Sequence, residues 1–200
     1  MDGTMVDNMM VHHKAWQQKL LEMGLELSLE EVKEQIHGVN KEILKRLFGS
    51  RYTAEEIVFH AQDKEQRYRT LYKPSLKLID GLETLLQQSK AAGIRLAVGS
   101  AAPVENVDFV LDTLSIRGYF DAVLHAGDVS KGKPDPEIYL RIMERLQLGP
   151  AECVVVEDSP TGAEAGVRSG ARTIVVTTTH APEEFGYLNI DRFIRDYTEY

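Results

Sequence analysis

The sequence predicts an α/β fold: a parallel sheet alternating with amphipathic helices, preceded by a stretch that is helical throughout. Three observations carry this. From Pro74 onward, short β-branched runs alternate with helical patterns, which is the signature of βαβ units. Between about Asn8 and Lys73 no segment reads as a strand. The 200 residues, 43% hydrophobic and 27% charged, suit a core domain carrying a small second one and are too few for two full enzymatic domains.

In chain order, the helical stretch contains His12 to Met23, then Ser28 to Ile36 after a serine cap. Asn40 to Phe48 follows, then Thr53 to Tyr72, where Thr53 and Glu56 stand at capping-box spacing. The strand-like runs are Ile94 to Val98, Ala122 to His125, Cys153 to Val156 and Thr173 to Thr177. The helices among them are Gly81 to Ala92, Val104 to Leu114, Pro136 to Leu146 and Thr161 to Ser169. Each run ends in small or polar residues, namely Gly99-Ser100, Gly127-Asp128, Glu157-Asp158-Ser159 and Thr178-Thr179-His180. Open parallel sheets bind ligands at the carboxyl ends of their strands, so these endings are expected to converge on one site.

A net charge of −8 argues against a nucleic-acid or anionic-membrane surface, which would gather Lys and Arg on one face. A small anionic substrate remains compatible, because a few local cations outweigh a weak overall field. The one cysteine, Cys153, lies in an apolar run and has no internal disulfide partner, which implies a reduced, cytoplasmic setting. No apolar run approaches the roughly 18 residues that span a bilayer, and Met1-Asp2-Gly3-Thr4 does not open a secretory signal. A monomer is the default expectation.

Four segments carry chemistry. Glu157-Asp158 at the end of an apolar strand suits a hard, oxygen-seeking cation, although Asp158 or Ser159 could serve only as a helix cap. Lys131-Gly132-Lys133-Pro134-Asp135-Pro136 presents a lysine from a stiff turn, with Pro136 suited to the first helical position; a solvated basic turn is the alternative. Gly99-Ser100-Ala101-Ala102 precedes a helix near Pro103 and could cradle a phosphate, or Ser100 could be a simple cap. The fourth is Asp2-Gly3-Thr4 at the N-terminal end.

Asp-Gly-Thr, then Ser100, then Lys133-Pro134, then Glu157-Asp158, in that order, resembles the four motifs of the haloacid dehalogenase superfamily, in its β-phosphoglucomutase-like branch. The resemblance implies a Rossmann-like core at 1–7 and 74–200 with an inserted helical cap at 8–73. It also implies a Mg²⁺-dependent phosphohydrolase working through an aspartyl-phosphate on a small phosphorylated molecule. The family's first motif reads Asp-x-Asp-Gly-Thr, so Asp2 matches the second aspartate, the general acid/base, and Met1 the intervening residue. Mg²⁺ would be held by Asp2 through its carbonyl, by Glu157 and Asp158, and by the nucleophile. Ser100, Ala101 and Lys133 would hold the phosphoryl group, making electrostatic stabilisation the main catalytic term.

The same resemblance assigns cap residues. His12 and Trp16, four apart on one helix face, match a pair that faces the substrate, though Trp16 could equally be core. Lys41 stands where the mutases usually carry arginine, and a lone ammonium cannot bind phosphate in bidentate fashion. Tyr68-Arg69-Thr70 lacks the lysine that mutases place on their last cap helix. A phosphatase is therefore ranked above a β-phosphoglucomutase, with a catalytically inactive binding module as the reading from another class. The matched nucleophile would precede Met1, at the end of a first core strand absent from the chain as written. The expectation is a natural protein with about ten more residues, enough for one strand.

Overall fold

All residues 1–200 are described in a computed structural model. The chain divides into two compact units, Met1–Asp7 with Leu76–Tyr200, and Asn8–Ser75. No helix is long and apolar enough to cross a membrane.

The Asn8–Ser75 unit is built from α1 (Met9–Glu22), α2 (Leu29–Gln35), α3 (Asn40–Phe48) and α4 (Ala54–Tyr72). Capping boxes start two of them, Ser28 with Glu31 and Thr53 with Glu56, each pair satisfying otherwise orphaned N–H groups. Trp16, Leu20, Val32, Ile43, Leu44 and Ile57 form the shared core. Beside it, the buried Lys19 ammonium meets Asp63 at 2.7 Å, and Arg67 meets Glu22 at 2.5 Å, tying α1 to α4.

The other unit is α/β, with α5 (Leu82–Ala91), β1 (Ala97–Gly99), α6 (Val104–Thr113), β2 (Ala122–Leu124) and α7 (Glu137–Leu146). After these come β3 (Val154–Glu157), α8 (Pro160–Arg168), β4 (Arg172–Val176) and β5 (Arg192–Ile194). All pairings are parallel, but they fall into two sheets, β1-β2 and β3-β4-β5. α7 serves both: Ile138, Tyr139, Ile142, Met143 and Leu146 share one core with Leu124 of β2 and Val155 of β3. β4, paired on both sides, is buried from Thr173 to Val176, whereas Val154 of β3 is 42% exposed.

Several local expectations shift. The first strand starts at Ala97 rather than Ile94, because the Ile94 amide closes α5 by bonding the Ser89 carbonyl at 2.9 Å and its side chain is 56% exposed. Pro136 occupies the N-cap of α7 rather than its first turn, and it is Pro160 that takes the first position of a helix, α8. β5 and the short 3₁₀ turns were not foreseen.

Candidate active site

The carboxyl end of β3 places Glu157 and Asp158 side by side, 4% and 6% exposed. The helix that follows is capped by neither: Ser159 accepts the Gly162 N–H at 3.2 Å, leaving both carboxylates for other work. Glu157 Oε1 receives hydrogen bonds from the Lys133 ammonium and the Tyr139 hydroxyl. The same ammonium reaches the Gly99 carbonyl at 3.3 Å, so Lys133 joins the ends of β1 and β3. It also lies 5.1 Å from the centroid of the Tyr139 ring, a cation–π distance. The Lys133–Pro134 peptide is cis.

Asp158 is held differently. Its Oδ1 accepts from the Thr4 hydroxyl at 2.7 Å and its Oδ2 from the Thr179 hydroxyl at 2.8 Å. Thr4 belongs to the tight turn that begins the chain, where the Gly3 N–H bonds Val6 O at 2.9 Å and Met5 N–H bonds Met1 O at 2.7 Å. Gly3 has φ +68, and a Cβ there would collide with the Asp158 carboxylate, so only glycine lets this turn lie against Asp158. Three successive carbonyls of the turn are tied to other elements. Thr178 Oγ donates to Gly3 O, Tyr197 Oη donates to Thr4 O at 2.8 Å, and Ile79 N donates to Met5 O at 2.9 Å. Asp2 sits half-buried at the mouth of this anchored turn.

The electrostatics separate the two acids. Burial would raise Glu157, but the adjacent Lys133 charge and the hydrogen bonds from Lys133 and Tyr139 hold it below the usual glutamate range. Asp158 moves up, through burial and then the neighbouring Glu157 charge, against the pull of the Thr4 and Thr179 bonds. Burial and Glu157 together push the Tyr139 hydroxyl well above its ordinary range, so it remains a donor. The Lys133 ammonium thus bonds Glu157, while Asp158 is held by the Thr4 and Thr179 hydroxyls.

Such a site fits a hard divalent cation. Mg²⁺ takes carboxylate oxygens, keeps several waters and needs only one or two carboxylates from the protein. No three His, Cys, Asp or Glu side chains are grouped for a metal. Glu157 and Asp158, with water or a main-chain carbonyl, would be the protein's share.

The structure brings Lys133, Glu157, Asp158 and the Asp2 turn together. Ser100 is buried next along the chain from Gly99, with its Oγ accepting the Ala102 N–H at 3.1 Å and its N–H bonding Leu124 O at 3.0 Å. It does not cap α6, whose N-cap is Pro103; Ala101 beside it is exposed. In the helical unit, His12 stacks on Tyr68 at 3.8 Å and its Nδ1 lies 2.9 Å from the buried Lys64 ammonium. Lys64 also pairs with Glu65 at 2.9 Å and lies 5.4 Å from the Trp16 ring, which is buried in the helical core. Lys41 lies in the first turn of α3 and is exposed. α4 thus carries a buried lysine, Lys64, one turn before the Tyr68-Arg69-Thr70 segment. Thr179 lies in a strand ending expected to reach the site but had no role assigned, and Tyr139 was not among the expected site residues. The Thr178-Thr179 strand ending was the available signal for the first; nothing local marked the second.

The sequence profile of the haloacid dehalogenase-like hydrolases matches residues 1–170. This chain belongs to that family. A phosphorylated carbohydrates phosphatase of Thermotoga maritima is 29% identical over 87% of this chain and 81% of its own. An uncharacterized protein of Haemophilus influenzae is 30% identical over 89% and 88%. Among solved structures, CbbY of Rhodobacter sphaeroides in complex with phosphate superposes with a TM-score of 0.86 at 26% identity, covering 100% of this chain and 92% of the other. A β-phosphoglucomutase of Clostridium difficile gives 0.83 at 25% identity, covering 99% and 89%.

Proposed function

We propose that this haloacid dehalogenase-like hydrolase is a Mg²⁺-dependent phosphatase of a small phosphorylated metabolite, a sugar phosphate. The observation that carries the reading is the buried Lys133–Glu157–Asp158 cluster at the end of β3 against the Gly3–Thr4 turn. In this reading Ser100, Ala101 and Lys133 bind the phosphoryl oxygens, and Lys133 also limits repulsion between substrate and carboxylates. Asp2 gives a proton to the leaving oxygen and then takes one from water. Mg²⁺, when bound by Glu157, Asp158 and the Asp2 carbonyl, supplies positive charge for the transition state. His12, Lys64 and Lys41 of the helical unit are the residues proposed to choose the substrate; Trp16, expected to join them, is packed in the helical core instead. The setting is cytosolic and the protein a monomer, in keeping with the free thiol of Cys153.

The nucleophile proposed is an aspartate preceding Met1. What supports this is the division of the sheet: β1 and β3 each pair on one side only, while Lys133 and α7 bind both, so a single extended segment would pair with both outer edges. The sugar-phosphate class is supported by the phosphorylated carbohydrates phosphatase and by a CbbY structure with xylulose bisphosphate. The second reading is a β-phosphoglucomutase, favoured by the His12–Lys64 pair and disfavoured by a lone lysine at position 41. A binding module without turnover is the reading from another class.

The test is release of inorganic phosphate from a panel of sugar phosphates with Mg²⁺, using a form extended upstream. Hydrolysis of one or more is expected. Turnover restricted to β-glucose 1-phosphate, yielding glucose 6-phosphate, would replace the phosphatase with the mutase, and phosphate binding without turnover would support the module. Residues 1–200 alone are expected to hydrolyse little or nothing; rapid Mg²⁺-dependent turnover by them would overturn the match of Asp2 to the second aspartate.

A further inference from the structure

We infer that Thr179, backed by His180, is a positioning residue that fixes the Asp158 carboxylate for a divalent cation; this rests on the metal reading of Glu157 and Asp158 given above. The Thr179 oxygen lies 2.8 Å from Asp158 Oδ2 and 2.7 Å from the Asp158 main-chain carbonyl. A hydroxyl has one proton and two acceptor lone pairs. Asp158 offers it only acceptors, so its proton goes there when the group on the other side of the oxygen, His180 Nδ1 at 2.9 Å, is itself the donor. In the Nδ1–H tautomer, His180 donates to Thr179 and Thr179 donates to Asp158. The imidazole is itself steadied edge-on by Phe185, with centroids 6.2 Å apart.

The arrangement matters because Asp158 has only two side-chain anchors, one on each oxygen. Thr4 holds Oδ1 from the N-terminal turn and Thr179 holds Oδ2 from beyond β4. Together they fix the carboxylate plane while leaving each oxygen a lone pair for another partner. Removing Thr179's hydroxyl would leave one anchor, about which the group can rotate. The placement also explains the bulk at the site: a Cβ on Gly3 would approach Thr179 Cγ2 to 2.9 Å, so the turn, Thr179 and Asp158 form one packed unit. Groups that orient a metal's ligands from behind typically change metal affinity by about 10–100-fold when removed.

The test uses the form extended upstream, which carries the nucleophile proposed above as a further ligand, and Mn²⁺ as the probe, with bound metal read by electron paramagnetic resonance of the free ion. Thr179→Val keeps the shape without the hydroxyl, and Thr179→Ser keeps the hydroxyl. Expected are Mn²⁺ binding at least about 10-fold weaker in T179V and near-native binding in T179S. Native-like affinity in T179V, or failure of T179S to restore it, would overturn the positioning role. Asp158→Asn is the control for the metal reading: binding that survives it, or no Mn²⁺ binding by the unmodified chain, would sink that reading and this inference with it. Should T179V not fold, T179A takes its place with the same expected loss.

Discussion

Lys133 has two partners of different kinds, the Glu157 carboxylate and the Gly99 carbonyl, and its side chain is 13% exposed. Replacing it with methionine would leave Glu157 and Asp158 buried together without the ammonium. Breaking a buried pair from one side costs on the order of 3 kcal/mol, because the remaining charge is uncompensated. K133M is expected to lose about that much stability in urea titration, and adding E157Q should restore most of it; a double variant no more stable than K133M would show that the pair is not coupled. The role of Lys133 was legible from Lys133-Pro134 and its order in the chain. Tyr139 was not, because a tyrosine on a helix whose neighbours are core residues gives no sign that its hydroxyl reaches a strand end.

The start of α7 shows how one element fixes a loop. Glu137 accepts from Ser130 N at 3.0 Å, Ser130 Oγ at 2.7 Å and Lys131 N at 2.8 Å, and pairs with Arg141 one turn on at 2.6 Å. The Ser130 bonds, with those of Lys131 and Arg141, depress its carboxyl from 4.5 to about 2. A depressed carboxyl contributes stability that is complete above its ordinary value and is lost as pH falls, here between 4.5 and about 2. A side-chain carbon titration by NMR should place the midpoint near the lower bound, and E137Q should remove the slope in that window; a midpoint in the ordinary glutamate range would refute the loop clasp. The sequence marked this helix, as it did every other, because caps and 3.6-residue periodicity are local. β5 escaped it because Arg192–Ile194 has three residues flanked by Asp191 and Arg195, too short and too polar for a run, and it exists through its pairing with β4.

Across the whole molecule, the fold class and the set of strand ends were legible, while the hydroxyl anchors and the Lys64–His12 pair depend on contacts between residues far apart in sequence. The sheet pairing is of the same long-range kind and yields a prediction. β4 is bonded on both sides, whereas β1 and β3 each have one unpaired edge. Backbone amides left without a ladder partner exchange with solvent through small local openings. Hydrogen exchange should therefore be slowest at Arg172–Val176, and faster at those amides of Ala97–Gly99 and Val154–Glu157 that do not face β2 or β4. In a form extended upstream, a segment pairing with both edges should slow these outward amides at least 10-fold, roughly what about 1.4 kcal/mol of added local stability produces. Slowing confined to one edge would mean that the segment adds at a border and not between the sheets. Unchanged exchange on both would remove the structural support for a nucleophile carried on that segment, and with it the expectation that the extended form hydrolyses phosphate esters where residues 1–200 do not.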